Sequence, residues 1–433
     1  MAMLDDSTLT DRRRRAAAAW KGIDALVVIG AGSHLPIPGG QDQTYPFRVH
    51  PDYRWLTGDD QPEGVVAFDP NDGWAHFIPA VTEAERVWEG REPFDDPRSR
   101  PLSEFAAWLQ SRAGKTIAVA GVAPDGVTID PSASRAVGEG LLHARRPKDA
   151  SEIAIVRRAV AATAAGYAAA REAIRPGTTE RSVQIDLEAA MFRAGADDVG
   201  YGTIVGSGPN SAVLHFAPSS RVIGADDLVL VDAGGAIAGY TADVTRTFAA
   251  RGALSGERKA LYEIVLVAER AAIGRCCAGV QWRDVHITAA KALAEGLVSM
   301  GVLRGDADSL LEREAIALFF PHGVGHMVGL GVRDAGGRLP GSLVPGAVAP
   351  KCCGVTLRVD LPIERDYLMT VEPGAYFIPA LLRDRARRER FADCVDWTVV
   401  DRLLAMGIGG VRIEDNVLVI DAGCEVLTAT IPK

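Results

Sequence analysis

Short apolar runs separated by polar turns mark the first third of the chain. Residues 24–30 (DALVVIG), 64–69 (GVVAFD), 74–79 (WAHFIP) and 116–121 (TIAVAG) read as short buried strands. Helical stretches at 83–89 and 103–112 lie between them, which predicts an α/β domain over residues 1–145. The alanine run after four arginines near the N-terminus reads as a surface helix feeding a strand at 25–30. It does not read as a leader, because Lys21 and Asp24 interrupt the apolar stretch. The polar segment 143–152 (HARRPKDASE) reads as a linker, with Ser151 as the N-cap of the next helix.

From Ile153 the texture changes. An alanine-rich helix, IAIVRRAVAATAAGYAAAREAI, is followed by TTERSVQIDLEAAMFRAG, a threonine-capped amphipathic helix ended by Gly195. Two more helices are predicted near 257–274 and 283–300. Strand-like segments fall at 202–206, 212–216, 227–233, 241–248, 368–377 and 410–420. Helices grouped with antiparallel hairpins predict an α+β domain over 146–433. The charged run 383–393 reads as a solvated helix.

Composition narrows the function classes. With 48% hydrophobic and 24% charged residues, the chain of 433 residues is ordinary for a soluble globular protein. A net charge of −9 argues against nucleic acid as a partner. No uninterrupted apolar run reaches roughly 18 residues, so no membrane span is expected. The six cysteines, Cys276, Cys277, Cys352, Cys353, Cys394 and Cys424, contain no C-x-x-C, and this is neither a disulfide framework nor a zinc ribbon. A reducing cytoplasm fits this usage.

Candidate chemistry sits in four segments. In LVLVDAGGAIAGYTADVTRTF (228–248), Asp232 ends an apolar strand and Asp243 lies at the start of the next. A buried carboxylate needs compensation. The plain reading is a salt bridge to Arg246, or a turn cap by Asp232. Glu372 follows an apolar strand in LMTVEPGAYF, and Glu414 reads as lying inside the apolar strand GGVRIEDNVLVI, on the same face as Arg412. FFPHGVGHMVGLGVRDAGG (319–337) is neither H-E-x-x-H nor a dinucleotide-binding loop. Taken together, Asp232, Asp243, His326, Glu372 and Glu414 offer four carboxylates and one imidazole. That set suits two hard or borderline divalent ions, Mn²⁺ first, with Co²⁺ or Zn²⁺ as alternatives. Two such ions balance the four negative charges and polarise a carbonyl.

The ordered set D-A-G-(x)8-D-x-T-R-T-F, H-G-x-G-H-x-x-G-L, T-V-E-P-G and G-V-R-I-E-D resembles the pita-bread metallopeptidases, prolidase (Xaa-Pro dipeptidase) and aminopeptidase P. The resemblance covers essentially the whole chain. It implies a C-terminal pita-bread (creatinase/aminopeptidase-like) catalytic domain over 146–433, and a smaller α/β domain of the creatinase/prolidase N-terminal type over 1–145. It also implies roles. Asp232 binds one ion, Asp243 and Glu414 bridge the pair, and His326 and Glu372 complete the second. Glu372 relays a proton, His215 sits near the substrate, and Tyr201, His322 and Arg412 line the site. Arg358, fourteen residues before Glu372, matches the prolidase arginine that clamps a free carboxylate. Arg412 is expected to hold a bridging carboxylate in place. Trp88 in ERVWEG reaches a neighbouring subunit's site, or else is an ordinary interface or core tryptophan.

One position departs from the family. Where it reads V-H-D, this chain reads V-R-D at Val332–Asp334. Arg333 can donate hydrogen bonds to an oxyanion but cannot shuttle protons. The expectation is therefore a dinuclear hydrolase of Xaa-Pro dipeptides, slowed or altered in specificity by Arg333, cytoplasmic and homodimeric, with a small peptide as its partner. The alternatives are aminopeptidase P action on longer peptides and a catalytically silent binding protein of the same fold.

Overall fold

A computed structural model of the chain describes residues 6–93, 96–124, 126–339 and 348–433. It divides into two compact units, Met1–Arg145 and Arg146–Lys433.

The first unit is built on a five-stranded sheet. Its strand order is Ser99–Pro101, Gly73–Ile78, Val65–Asp69, Leu26–Gly30, Ile117–Gly121. The apolar run Leu26–Gly30 is buried along its whole length. It pairs antiparallel with Val65–Asp69 and parallel with Ile117–Gly121. Phe77, Phe105 and Trp108 fill the core on one face. The helix over 103–112 begins as a single 3₁₀ turn, Leu102–Glu104, before Phe105–Gln110. The expected linker is instead the end of a helix, Pro131–Arg145, followed by a short connection. Trp88, on the helix Glu83–Glu89, is 85% exposed, which rules out the core reading.

His76 sits buried in this unit with its Nε2 2.8 Å from the Tyr53 hydroxyl, which donates to Asp59 Oδ2 at 2.6 Å. Burial foremost, with the Arg13 charge second, pushes the imidazole down to about 4 from 6.5. A folded value below the unfolded one means that the unfolded chain binds the proton first. Stability from this group is therefore complete above pH 6.5 and is lost as pH falls through about 4. We expect unfolding free energy to drop by up to about 3 kcal/mol over that window. Urea titrations should show a shallower drop in His76→Gln; an identical slope would refute the assignment.

The second unit groups helices around antiparallel strands. Leu228–Ala233 lies between Ile204–Ser207 and Val244–Ala249. Asp415–Ile420 lies between Leu368–Val371 and Gly423–Val426. The helices Gly256–Arg275 and Trp282–Ser299 cover a large apolar core that includes Trp282, Phe319 and Phe377. The helix Ala150–Ala173 is capped by Asp149 in a reciprocal pair with Glu152, not by Ser151. That geometry satisfies two orphan backbone donors at once. This helix is apolar and long enough to cross a membrane by composition. Its Val156, Ala159, Tyr167 and Ala170 are buried, and the Tyr167 hydroxyl contacts the carbonyls of Val231 and Val244, as in a core helix.

Several predicted strands are interrupted, and the interruptions matter. Segment 368–377 breaks at Glu372–Pro373 into Leu368–Val371 and Gly374–Tyr376. Segment 410–420 breaks at Ile413–Glu414 into Gly410–Arg412 and Asp415–Ile420. Glu414 therefore lies between two strands and not inside one. Segment 212–216 is no strand: a 3₁₀ turn over Gly208–Ala212, opened by Pro209, leads into an irregular stretch carrying His215. The charged run 383–393 holds a short helix, Arg385–Arg390, with no buried residue.

Candidate metal centre

Four of the five candidate ligands stand at or beside a strand end. Asp232, near the end of Leu228–Ala233, faces Thr245 across the antiparallel pair. The chain then turns through Gly234, where a Cβ would lie 1.8 Å from the Ala242 carbonyl oxygen. Only glycine permits that approach. Asn416 holds the Asp243 backbone from both sides: its Oδ1 accepts from Asp243 N at 3.0 Å and its Nδ2 donates to Asp243 O at 2.6 Å. Val371 pairs with Asp415, so Glu372 and Glu414, one residue further along and one residue before, come out opposite each other.

His326 arrives from a loop. Its carbonyl accepts from Thr370 N at 2.8 Å, and its own N donates to Thr370 Oγ1 at 3.1 Å. A Cβ on Gly325 would sit 2.0 Å from the Thr370 carbonyl oxygen, so glycine is what lets the histidine loop lie against the strand. All five side chains line one cavity of about 630 Å³.

The donor set fits divalent cations. His326 Nδ1 lies 2.9 Å from the Met327 carbonyl. A carbonyl only accepts, so the ring proton sits on Nδ1 and the Nε2 lone pair points inward. That lone pair faces Asp243 Oδ2 at 3.3 Å and Glu372 Oε1 at 3.7 Å. Lone pairs facing lone pairs repel, and a cation or a proton between them relieves the repulsion. Ligand atoms of Asp243, His326 and Glu414 all lie within 4.8 Å of one another. Glu414 Oε1 is buried and has no hydrogen-bond partner. Burial, then the charges of Asp243, Glu372 and Asp232, pushes the Glu414 carboxyl well above its ordinary value. Burial likewise raises Asp232 and Glu372, in each case against the opposing charge of Arg412. The repulsion is relieved by positive charge in the cavity.

The compensation for Asp232 differs from the expected one. Arg246 does not pair with Asp232; it binds Asp415 Oδ1 at 2.7 Å. Arg412 is the partner, donating from Nη2 to Asp232 Oδ2 at 2.6 Å. Thus Arg412 holds Asp232, not one of the two carboxylates expected to bridge. Tyr201 donates to the other oxygen, Oδ1, at 2.6 Å. Arg412 also donates to Tyr376 Oη at 2.9 Å and to Thr245 Oγ1 at 3.0 Å. It is buried, and each of its three guanidinium nitrogens donates to a group within the protein.

His322 lines the cavity, yet both its ring nitrogens are engaged. Nδ1 lies 2.9 Å from the Gly323 carbonyl and Nε2 2.9 Å from Tyr376 Oη. Burial first, then the Arg412 charge, pushes its imidazole down to about 3, so it is neutral. His215, Arg333 and Arg358 also line the cavity, and all three are exposed. Asp334 does not offset Arg333: it pairs with buried Lys148 at 2.8 Å.

Three residues escaped the sequence reading: Thr245, which donates to Glu414 Oε2 at 2.7 Å, Tyr376 and Asn416. Asn416 stands two residues after Glu414, and period-two alternation near a candidate ligand was the available signal. Tyr376 offered only its nearness to Glu372.

Residues 154–421 match the family model described as Metallopeptidase family M24. The chain belongs to that family. It is a pita-bread metallopeptidase, a hydrolase of a kind that works with divalent metal ions. Residues 10–97 match the model described as Aminopeptidase P, N-terminal domain. A curated relative from Aspergillus niger, "Probable Xaa-Pro aminopeptidase pepP", is 31% identical over 99% of this chain and 97% of its own length. The solved aminopeptidase PepP of Pseudomonas aeruginosa is 28% identical, with a TM-score of 0.79 over 100% of this chain and 97% of its own. A zinc-substituted Escherichia coli aminopeptidase P in complex with product is 26% identical, with a TM-score of 0.77 over the same shares. These names favour the aminopeptidase alternative over the dipeptidase expectation.

Proposed function

We propose that this metallopeptidase is a Xaa-Pro aminopeptidase, which removes the first residue of peptides whose second residue is proline. The observation that carries the reading is the gathering of Asp232, Asp243, His326, Glu372 and Glu414 in one cavity of a chain similar to aminopeptidases P along its length. The donor set fits two divalent ions, which Asp232, Asp243, His326, Glu372 and Glu414 would hold between them. Mn²⁺ is the expected occupant, since the ligands are mostly oxygen.

Bound ions supply polarisation of the scissile carbonyl and an acidified water. The chain's own residues do the rest. Glu372 accepts a proton from the attacking water and passes it to the departing proline nitrogen. Arg333 and His215 donate hydrogen bonds to the oxygen that gains charge. Tyr201 and Arg412 fix Asp232 by both oxygens, so that carboxylate does not rotate during turnover. Arg358, exposed at the cavity, attracts the carboxylate end of a short peptide. The working form is a cytoplasmic homodimer.

The test compares a Xaa-Pro-Xaa tripeptide with the matching Xaa-Pro dipeptide in the Mn²⁺-loaded enzyme. We expect kcat/KM to favour the tripeptide by about tenfold or more, equivalent to about 1.4 kcal/mol at the transition state. A clear preference for the dipeptide would restore the prolidase reading.

A further inference from the structure

A second group of metal-binding side chains stands apart from the carboxylate cavity and has no part in the reaction above. His286, on the helix Trp282–Ser299, is 1% exposed, and neither ring nitrogen has a hydrogen-bond partner among the described residues. The Cys352 backbone is near enough to influence its protonation, but no hydrogen bond forms in geometry. An imidazole buried with both nitrogens idle is costly unless something occupies one of them. Facing it are the sulfurs of Cys352 and Cys353. One ring nitrogen and both sulfurs lie within 4.8 Å of one another.

The backbone delivers both sulfurs to one point. Cys352 N donates to Val355 O at 2.8 Å and Val355 N to Cys352 O at 3.1 Å, closing a tight two-residue turn. Cys353 takes φ 51 and Gly354 φ 90 at its centre. Non-glycine residues with such φ are uncommon, and this one turns Cys353 back toward the side of Cys352. Cys352 is buried and Cys353 half-buried. The two thiols share one proton: the Cys353 thiol, helped by the Arg283 guanidinium, favours the Cys352 thiolate, and the same hydrogen bond, then burial, holds the Cys353 thiol well above its ordinary value. A bound divalent cation would deprotonate that second thiol as it coordinates.

We propose that His286, Cys352 and Cys353 form a second metal site for a thiophilic d¹⁰ ion of the Zn²⁺ class, distinct in chemistry from the oxygen-rich centre. Two thiolates and one imidazole are soft and borderline donors, the set that selects zinc over manganese. With Zn–S near 2.3 Å, tetrahedral ligand atoms stand about 3.8 Å apart, so modest side-chain rotation closes the site. Binding releases one proton from each thiol and changes no oxidation state. Two thiolates neutralise the ion, so no net charge is buried. Half-exposed Cys353 leaves the fourth position open to water or a small thiol.

The test uses full-length, reduced, chelator-washed protein with Co²⁺ as the probe. Oxygen and imidazole ligands at the first centre give no thiolate-to-cobalt charge-transfer absorption, whereas this site does. We expect the near-ultraviolet band to level off at one thiolate-bound Co²⁺ per chain, in addition to the ions the first centre takes up, and to be bleached by Zn²⁺. Cys353→Ser, at a half-buried position with a near-isosteric side chain, should weaken Co²⁺ binding at this site by about a hundredfold or more, since even indirect support of a ligand is worth 10–100-fold. Far-ultraviolet dichroism and melting verify that the variant is folded. The proposal is overturned if saturating Co²⁺ gives no thiolate band. It is also overturned if the band survives in the Cys352→Ser, Cys353→Ser double variant, which would place it at the neighbouring Cys276 and Cys424. Mass spectrometry showing Cys352 and Cys353 joined as a disulfide in the freshly isolated protein would overturn it too.

Discussion

His326→Ala is expected to strip the carboxylate cavity of divalent metal and to lower Xaa-Pro cleavage by about a thousandfold. Carbonyl polarisation by a bound ion is worth several kcal/mol, and each 1.36 kcal/mol is a factor of ten. The imidazole is the one uncharged donor among four carboxylates, and its Nε2 stands between Asp243 and Glu372. Without it, the ion loses a ligand and the carboxylates lose a neighbour that does not repel them. Elemental analysis after gel filtration and peptide turnover at saturating Mn²⁺ measure the two effects. Full metal content together with full activity would sink the assignment of His326 as a ligand.

The same geometry fixes the sign of a pH effect on the stripped protein. Burial raises Glu414, Glu372 and Asp232 above their ordinary values. The folded chain then holds protons that the unfolded chain releases. Stability is complete below the ordinary carboxylate range and declines as pH rises through the raised values. Chelation should therefore lower the melting temperature more at pH 8 than at pH 5.

Arg246→Met is expected to cost about 3 kcal/mol of unfolding free energy, the low end of the penalty for breaking a buried ion pair, because Asp415 keeps Lys433 at 2.6 Å. Arg246 is 1% exposed. Its guanidinium donates to Asp415 Oδ1 at 2.7 Å, to the Glu414 carbonyl at 2.6 Å and to the Ile431 carbonyl at 2.8 Å. Asp415, buried on the next strand, is held well below the usual carboxylate range in spite of its burial, with Arg246 the leading attraction. Methionine fills similar space but supplies no donor. Urea unfolding of the chelated protein gives the loss directly, and a value below about 1 kcal/mol would contradict it. Metal affinity should fall as well, because the grip on the Glu414 backbone goes with the arginine.

Much of the site was legible because its chemistry is written as type and order. Four carboxylates at the ends of apolar segments and one histidine among glycines stand out from any ordinary surface. What was not legible depends on register. Arg246 and Arg412 are both arginines near apolar strands, and nothing local says which one reaches Asp232. The answer lies in the pairing of Thr245 with Asp232 and the bridge from Thr245 to Glu414, which direct Arg412 inward. The strand break at Glu372 was legible, because Pro373 and Gly374 follow it. The break at Glu414 was not, because Val411 and Ile413 before it and Val417–Ile420 after it read as one strand. Helices were easier to read, because capping is local, although Asp149 outcompeted Ser151 through its partner Glu152 three residues on.

The ligands come from distant parts of the chain. Arg412 reaches Asp232 across 180 residues, and Thr245 reaches Glu414 across 169. No short stretch can assemble the cavity, so an emerging or truncated chain has nowhere to seat the ion. Metal uptake is then a late event that reports completed folding. Excess ion rescues a nearly native chain by mass action but gives no help to one whose two strand pairs have not yet met.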